Sequence, residues 1–95
     1  NNYLNVFKYV HCDRRTTRKD RAIVSFLRRH RIPIRDAIYI GDEYRDIVAC
    51  RKVGIPIIAV TWGFNSPSYL LQAEPDYLVT SPEELLVTVE RITGQ

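Results

Sequence analysis

The sequence predicts an α/β fold in which helices cover both faces of a parallel sheet. Short, continuous apolar runs rich in β-branched residues alternate along the chain with segments of helical periodicity. Such runs are typical of strands buried on both faces, and strands that alternate with helices imply right-handed crossover connections. The chain has 95 residues, which suits one domain, so we assign residues 1–95 to a single unit.

Four apolar runs are the candidate strands. The run at residues 6–10 gives the weakest signal, and the others occupy residues 37–40, 55–61 and 77–79. The third run contains the segment Ile-Pro-Ile-Ile-Ala-Val, which has no polar residue to turn towards solvent. We therefore expect helices on both faces of this strand.

The first helix is predicted from a cap and an apolar stripe. Thr17 can cap a helix with Asp20 three residues later, as in a capping box. Ile23, Phe26 and Leu27 then recur at helical spacing and form one apolar stripe. We expect this stripe to pack against the sheet.

The later helices are predicted from their end signals. A second helix is expected to follow Asp46, and Gly54 stands where a left-handed C-terminal cap is needed. Ser66 and Ser81 each precede a proline, which is a common helix start. Glu84 completes a capping box with Ser81 for the last helix.

The most informative segment is Ile-Gly-Asp-Glu-Tyr-Arg-Asp at residues 40–46. In open α/β sheets, ligands bind just past the carboxyl ends of the strands, which is where Asp42 would stand. Asp42, Glu43 and Asp46 concentrate negative charge that a cation would relieve, and oxygen ligands of this kind suit Mg²⁺. The alternative is that Asp42 and Asp46 only cap the following helix and favour its dipole.

The segment GDEYRDIVACRKVGIPIIAVTWGFNSP, at residues 41–67, resembles the fourth motif of the haloacid dehalogenase-like (HAD) hydrolase superfamily and the strand and loop that follow it. The tail EPDYLVTSPEELL, at residues 74–86, is similar to the C-terminus of the phosphoglycolate-phosphatase-like branch. The resemblance covers roughly residues 16–95. It implies a Rossmann-like HAD core and the Mg²⁺-dependent hydrolysis of small phosphate monoesters through an aspartyl-phosphate.

The same resemblance implies roles for four residues. Asp42 would bind Mg²⁺ directly, with Asp46 and Glu43 in the same acidic cluster, and Asp46 would orient a metal-bound water or Lys19. Lys19 lies in the first turn of the first predicted helix, and it would stabilise charge on the transferring phosphoryl group. The alternative is that Lys19 is one of several solvated charges on that helix.

Two motifs of the superfamily are absent from these 95 residues. No Asp-x-Asp-x-Thr segment supplies the aspartate nucleophile, and no strand ending in Ser or Thr supplies the second motif. We therefore expect a partial HAD core that lacks its nucleophile strand and does not turn over phosphate esters by itself. A second chain in a homodimer, a rearranged N-terminal segment or residues preceding Asn1 would fill the gap in the sheet. The alternative function is that of a catalytically inactive HAD-like fragment, acting as a binding or assembly module.

The charge distribution raises a further function class. Residues 1–35 contain ten Lys/Arg against two acids, whereas residues 36–95 contain four against nine. No nucleic-acid-binding motif or aromatic platform accompanies the basic segment, so we expect no nucleic-acid partner. No apolar run is long enough for a membrane span, and Cys12 and Cys50 fit no metal or redox motif. We expect a cytoplasmic protein whose partner is a small phosphorylated metabolite.

Overall fold

A computed structural model describes residues 18–63 and 65–94, so the predicted strand at residues 6–10 and the predicted cap Thr17 lie outside the described residues. Helices and strands alternate along this part of the chain. In order, the elements are helix α1 (Lys19–Arg29), a 3₁₀ helix (Ile34–Asp36), strand β1 (Tyr39–Gly41), helix α2 (Tyr44–Val53), strand β2 (Ile57–Val60), helix α3 (Pro67–Gln72), strand β3 (Tyr77–Val79) and helix α4 (Pro82–Thr93).

The described strands form one parallel sheet in the order β1-β2-β3. The predicted α/β class is therefore confirmed. Each of the three strands predicted within the described residues exists. Strands β1 and β2 differ from their predicted bounds at both ends. At the start of β2 the reason is visible, because the backbone N–H of Ile55 donates to the carbonyl of Cys50 and so closes the end of α2.

Helices cover both faces of the sheet. On one face, α1, α2 and α3 pack against the strands, and Ile23, Ile47 and Leu70 are fully buried there. On the other face, Val89 of α4 packs against Ile58 and its neighbours. Strand β2 is buried along its whole length, as expected from its uninterrupted apolar run. Among the described residues, no helix is long and apolar enough to cross a lipid bilayer.

The starts of α1 and α2 were both predicted from the sequence, and the prediction for α2 was wrong. The N-cap of α1 is Arg18, without a side-chain cap, and the Asp20 carboxylate accepts hydrogen bonds from the Arg18 guanidinium at 3.4 and 3.3 Å. Asp20 therefore pairs with a neighbouring cation, and the predicted cap at Thr17 lies outside the described residues. Helix α2 begins at Tyr44, so Asp46 lies within its first turn and not before it. The predicted left-handed cap at Gly54 is confirmed, with a φ of 93°.

Helix α4 has the predicted serine cap with a modified partner. The Ser81 hydroxyl accepts a hydrogen bond from the N–H of Glu84 at 3.1 Å. The Glu84 carboxylate, however, accepts from the N–H of Thr80 at 2.5 Å, one residue before the position that a capping box requires. The cap therefore satisfies donors on both sides of Ser81.

We expect Ser81→Ala to lower the free energy of unfolding by about 1 kcal/mol, because the N–H of Glu84 loses its acceptor. Ser81→Asp is the matched control, since aspartate is an equally good N-cap and should retain most of the stability. Urea unfolding followed by circular dichroism measures both variants. Equal losses in the two variants would contradict a capping role.

Candidate active site

The carboxyl end of strand β1 carries the first site residues. The strand ends at Gly41, and Asp42 follows it directly, as the order of apolar strand, glycine and carboxylate predicted. A Cβ atom at residue 41 would lie 2.6 Å from Oδ2 of Asp46 and 2.9 Å from the ring of Tyr39. Glycine therefore lets the Asp46 carboxylate approach the backbone at the end of the strand.

Lys19 lies against two carboxylates of the same segment. It is the first residue of α1, and its Nζ atom donates to Oε1 of Glu43 at 3.0 Å and to Oδ1 of Asp46. The side chains of Lys19, Glu43 and Asp46 are only 6%, 8% and 4% exposed. We call these three residues the buried ion cluster. Lys19 is therefore not one of the solvated charges of its helix.

Asp46 is held by both of its carboxylate oxygens. Oδ1 accepts from Lys19, and Oδ2 accepts from the backbone N–H of Glu43 at 3.1 Å. The second bond satisfies a donor at the N-terminus of α2 that has no partner within the helix. Glu43 also has the half-exposed Arg45 nearby, whose Nε lies 3.5 Å from Oε1. Asp46 therefore has both roles: it caps α2, as in the alternative interpretation, and it orients Lys19.

Opposing effects set the protonation of the buried ion cluster. Burial lowers the pKa of Lys19, but the hydrogen bonds and negative charges of Asp46 and Glu43 outweigh it and raise that pKa above its ordinary value. Burial raises the pKa of Glu43, but the hydrogen bond and charge of Lys19, together with Arg45, outweigh it and lower that pKa. Lys19 and Glu43 are therefore both ionised at neutral pH.

Gly63 and Asn65, in the loop after β2, lie against Asp42. A Cβ atom on Gly63 would overlap the carboxylate and the Cβ atom of Asp42, so only glycine fits the observed arrangement. The backbone N–H of Asn65 donates to the carbonyl of Asp42 at 3.1 Å, and Oδ1 of Asn65 accepts from the N–H of Tyr44 at 2.8 Å. Gly63 and Asn65 were not predicted as site residues. Both nevertheless follow an apolar strand in the segment that carries the family resemblance.

We expect Gly63→Ala to push residue 63 and Asp42 apart, because the added Cβ atom would lie 2.3 Å from the Cβ atom of Asp42, which is fixed to the backbone. The φ of Gly63 is not left-handed, so alanine adds no backbone strain, and the main conflict is with Asp42. Gly54→Ala is the control for the loss of a glycine, because a Cβ there meets no atom within 4 Å and the left-handed φ costs about 1–2 kcal/mol of backbone strain. NMR should show shifts around Asp42 in the first variant alone.

The donor set of the site fits a small hard cation. Asp42, Glu43 and Asp46 each offer a carboxylate oxygen, and these three atoms lie within 4.8 Å of one another. Oxygen-only ligands of this kind are those that Mg²⁺ takes in proteins. Glu43 and Asp46 each also direct an oxygen at the Lys19 ammonium. All four residues that were predicted from the sequence therefore lie close together: Lys19, Asp42, Glu43 and Asp46.

Known proteins share sequence similarity with most of this chain. The sequence model of the family described as HAD-hydrolase-like matches residues 19–85. The phosphoglycolate phosphatase of Synechococcus elongatus is 36% identical over 91 residues, which cover 96% of this chain and 43% of that protein. The pyrophosphatase PpaX of Bacillus mycoides is 32% identical over 59 residues, which cover 62% of this chain and 27% of that protein.

Solved structures give the same assignment. A haloacid dehalogenase-like family hydrolase from Streptococcus pneumoniae superimposes with a TM-score of 0.71 and 34% identity, covering 81% of this chain and 37% of that one. A protein from Clostridium acetobutylicum, described as a predicted phosphatase, superimposes with a TM-score of 0.72 and 32% identity, covering 85% of this chain and 36% of that one. The chain spans less than half the length of each of these four relatives. It belongs to the HAD-like hydrolase family, in its phosphoglycolate-phosphatase-like branch.

Proposed function

We propose that this chain supplies the lysine and metal-binding half of a Mg²⁺-dependent phosphatase that hydrolyses small phosphate monoesters. The observation that carries the proposal is the buried ammonium group of Lys19, held between Glu43 and Asp46 beside Asp42. A buried cation at the carboxyl edge of a parallel sheet lies where ligands of α/β folds bind. The relatives named as phosphatases support the same class of reaction.

Lys19 would act on the phosphoryl group as a fixed positive charge. An ammonium has three N–H donors, and the structure assigns one to Glu43 and one to Asp46. The third is the donor that we assign to a phosphoryl oxygen. Because the two carboxylates already orient the ammonium, little reorganisation is needed when charge builds up on the transferring group. Glu43 and Asp46 would therefore act as positioning residues for Lys19.

Asp42 would hold Mg²⁺, with Asp46 and Glu43 as the neighbouring carboxylates. A bound Mg²⁺ supplies positive charge that neutralises phosphoryl oxygens. The superfamily's nucleophilic aspartate belongs to an Asp-x-Asp-x-Thr motif, which residues 1–95 do not contain. We therefore expect the chain by itself to bind Mg²⁺ weakly and not to turn over phosphate esters. Magnesium dependence, the aspartyl-phosphate and a cytoplasmic location remain predictions.

A chimera tests this proposal directly. The segment of the Synechococcus phosphoglycolate phosphatase that aligns with this chain is replaced by the matching 91 residues, which places Lys19 and Asp42 beside a complete set of the remaining motifs. We expect Mg²⁺-dependent release of phosphate from a small monoester such as phosphoglycolate. The parent enzyme is the positive control. A chimera that folds, as shown by circular dichroism, but releases no phosphate would favour the inactive binding module instead.

A further inference from the structure

One residue of the loop at residues 61–66 connects to both ends of the turn that carries Asp42. The backbone N–H of Asn65 donates to the carbonyl of Asp42 at 3.1 Å. The side-chain Oδ1 of the same residue accepts from the N–H of Tyr44 at 2.8 Å. The two hydrogen bonds run in opposite directions and bracket Glu43. The backbone and the side chain of Asn65 therefore hold residues 42–44 at two points.

These two hydrogen bonds use groups that the local secondary structure leaves without partners. Tyr44 is the first residue of α2, and an N–H at that position has no acceptor within its helix. Asp42 follows the last residue of β1, so its carbonyl lies beyond the strand pairing in the sheet. Asn65 satisfies both groups from 21 and 23 residues further along the chain. The shape of the turn thus depends on a distant loop as well as on its own sequence.

The loop is itself fixed on its C-terminal side. Ser66 caps α3 by accepting from the N–H of Tyr69 at 3.3 Å, so Asn65 directly precedes an ordered helix start. The ring of Tyr69 stacks on the ring of Tyr44, with centroids 4.6 Å apart and an angle of 25° between the planes. Helix α3 therefore contacts α2 directly at the residue that Asn65 binds. Asn65 therefore precedes α3 and binds α2, and these two helices pack together.

We propose that Asn65 is a positioning residue for Asp42. It fixes the turn at residues 42–44, and this keeps the Asp42 carboxylate against Gly63 and the Glu43 carboxylate against Lys19. Its consequence for Mg²⁺ rests on the function proposed above, whereas its consequence for the placement of Asp42 does not. Loss of the Asn65 side chain then loosens the turn without removing any group that would bind the metal.

NMR on the 95-residue chain tests this inference with two variants. Asn65→Ala removes the acceptor for Tyr44 and leaves the backbone N–H of residue 65 in place. Asn65→Asp keeps an acceptor oxygen of similar reach. We expect hydrogen exchange of the Tyr44 amide to become roughly fivefold faster in the alanine variant and to stay near wild type in the aspartate variant. The nuclear Overhauser effects between the Gly63 α-protons and the Asp42 β-protons should weaken only in the alanine variant.

A Mg²⁺ titration of the same samples completes the test. The midpoint of the amide shifts at residues 41–46 should rise roughly fivefold in Asn65→Ala, the factor expected for one hydrogen bond. Ser81→Ala, which lies in the cap of α4, loses stability without touching this turn and should leave the midpoint unchanged. If Asn65→Ala retains the Gly63–Asp42 contacts and the slow exchange of Tyr44, the inference is wrong. If wild type itself shows no Mg²⁺ response, the proposed metal site fails, while the contacts between Gly63 and Asp42 still decide the role of Asn65.

Discussion

Replacing Lys19 by methionine is expected to lower the free energy of unfolding by about 3–5 kcal/mol, the loss typical when one partner of a buried ion pair is removed. Methionine keeps most of the volume of lysine, so the effect comes from charge and not from a cavity. Glu43 and Asp46 would stay buried with like charges and without their shared cation. For a domain of this size such a loss is a large part of the total stability.

Two further variants make the result specific to the buried ion cluster. Lys52→Met makes the same change at an exposed position of α2 and should alter stability by no more than about 0.5 kcal/mol. A triple variant with Lys19→Met, Glu43→Gln and Asp46→Asn removes all three charges and should regain part of the lost stability, because buried amides cost less than buried unpaired charges. Urea unfolding at pH 7 measures the series. A Lys19→Met variant as stable as Lys52→Met would show that the cluster contributes little.

The pH dependence of stability should reflect the same cluster. Because folding raises the pKa of Lys19 above its ordinary value of 10.5, the stabilisation is complete below that pH and declines as pH rises through the folded pKa. Because folding lowers the pKa of Glu43 below 4.5, the stabilisation is complete above that pH and declines as pH falls through the folded pKa. Melting temperatures of wild type and Lys19→Met should therefore approach each other as pH falls through the folded pKa of Glu43 in wild type, which lies below 4.5, because a protonated Glu43 no longer attracts Lys19.

Local sequence order was sufficient to predict the site residues near strand β1. An apolar strand followed by Gly41 and Asp42 can be read from neighbouring residues alone, and the structure places Asp42 at the carboxyl end of β1 as expected. Asp46 was predicted to orient either a metal-bound water or Lys19, and its hydrogen bond to Nζ favours the second role. Placing Lys19 also required the family resemblance, because spacing alone does not distinguish it from the neighbouring basic residues.

The contributions that sequence reasoning missed depend on contacts between distant segments. Asn65 and Gly63 act on a turn some twenty residues earlier, and only the pairing of β1 with β2 brings these segments together. A sequence rule for helix caps also did not predict the pairing of Asp20 with Arg18, which lies two residues earlier.

In the active chimera, Asp42→Asn is expected to lower phosphatase activity at a fixed, physiological Mg²⁺ concentration by about 100-fold or more, the range found when one preorganised electrostatic contact to a transition state is lost. Asparagine has the shape of aspartate and can still face Gly63, so the loop should keep its position. What is lost is the negative charge at the end of β1, which makes asparagine a poorer ligand for Mg²⁺.

The control for this change is Asp36→Asn, which removes the same charge from the exposed 3₁₀ helix before β1, at the opposite end of that strand. It should retain the activity of the unmodified chimera. Raising Mg²⁺ should restore part of the activity of Asp42→Asn and none of the activity of a chimera carrying Lys19→Met, because Asp42 is assigned to the metal and Lys19 is not. Equal behaviour of the Asp42→Asn and Asp36→Asn chimeras across the Mg²⁺ series would remove Asp42 from the metal site.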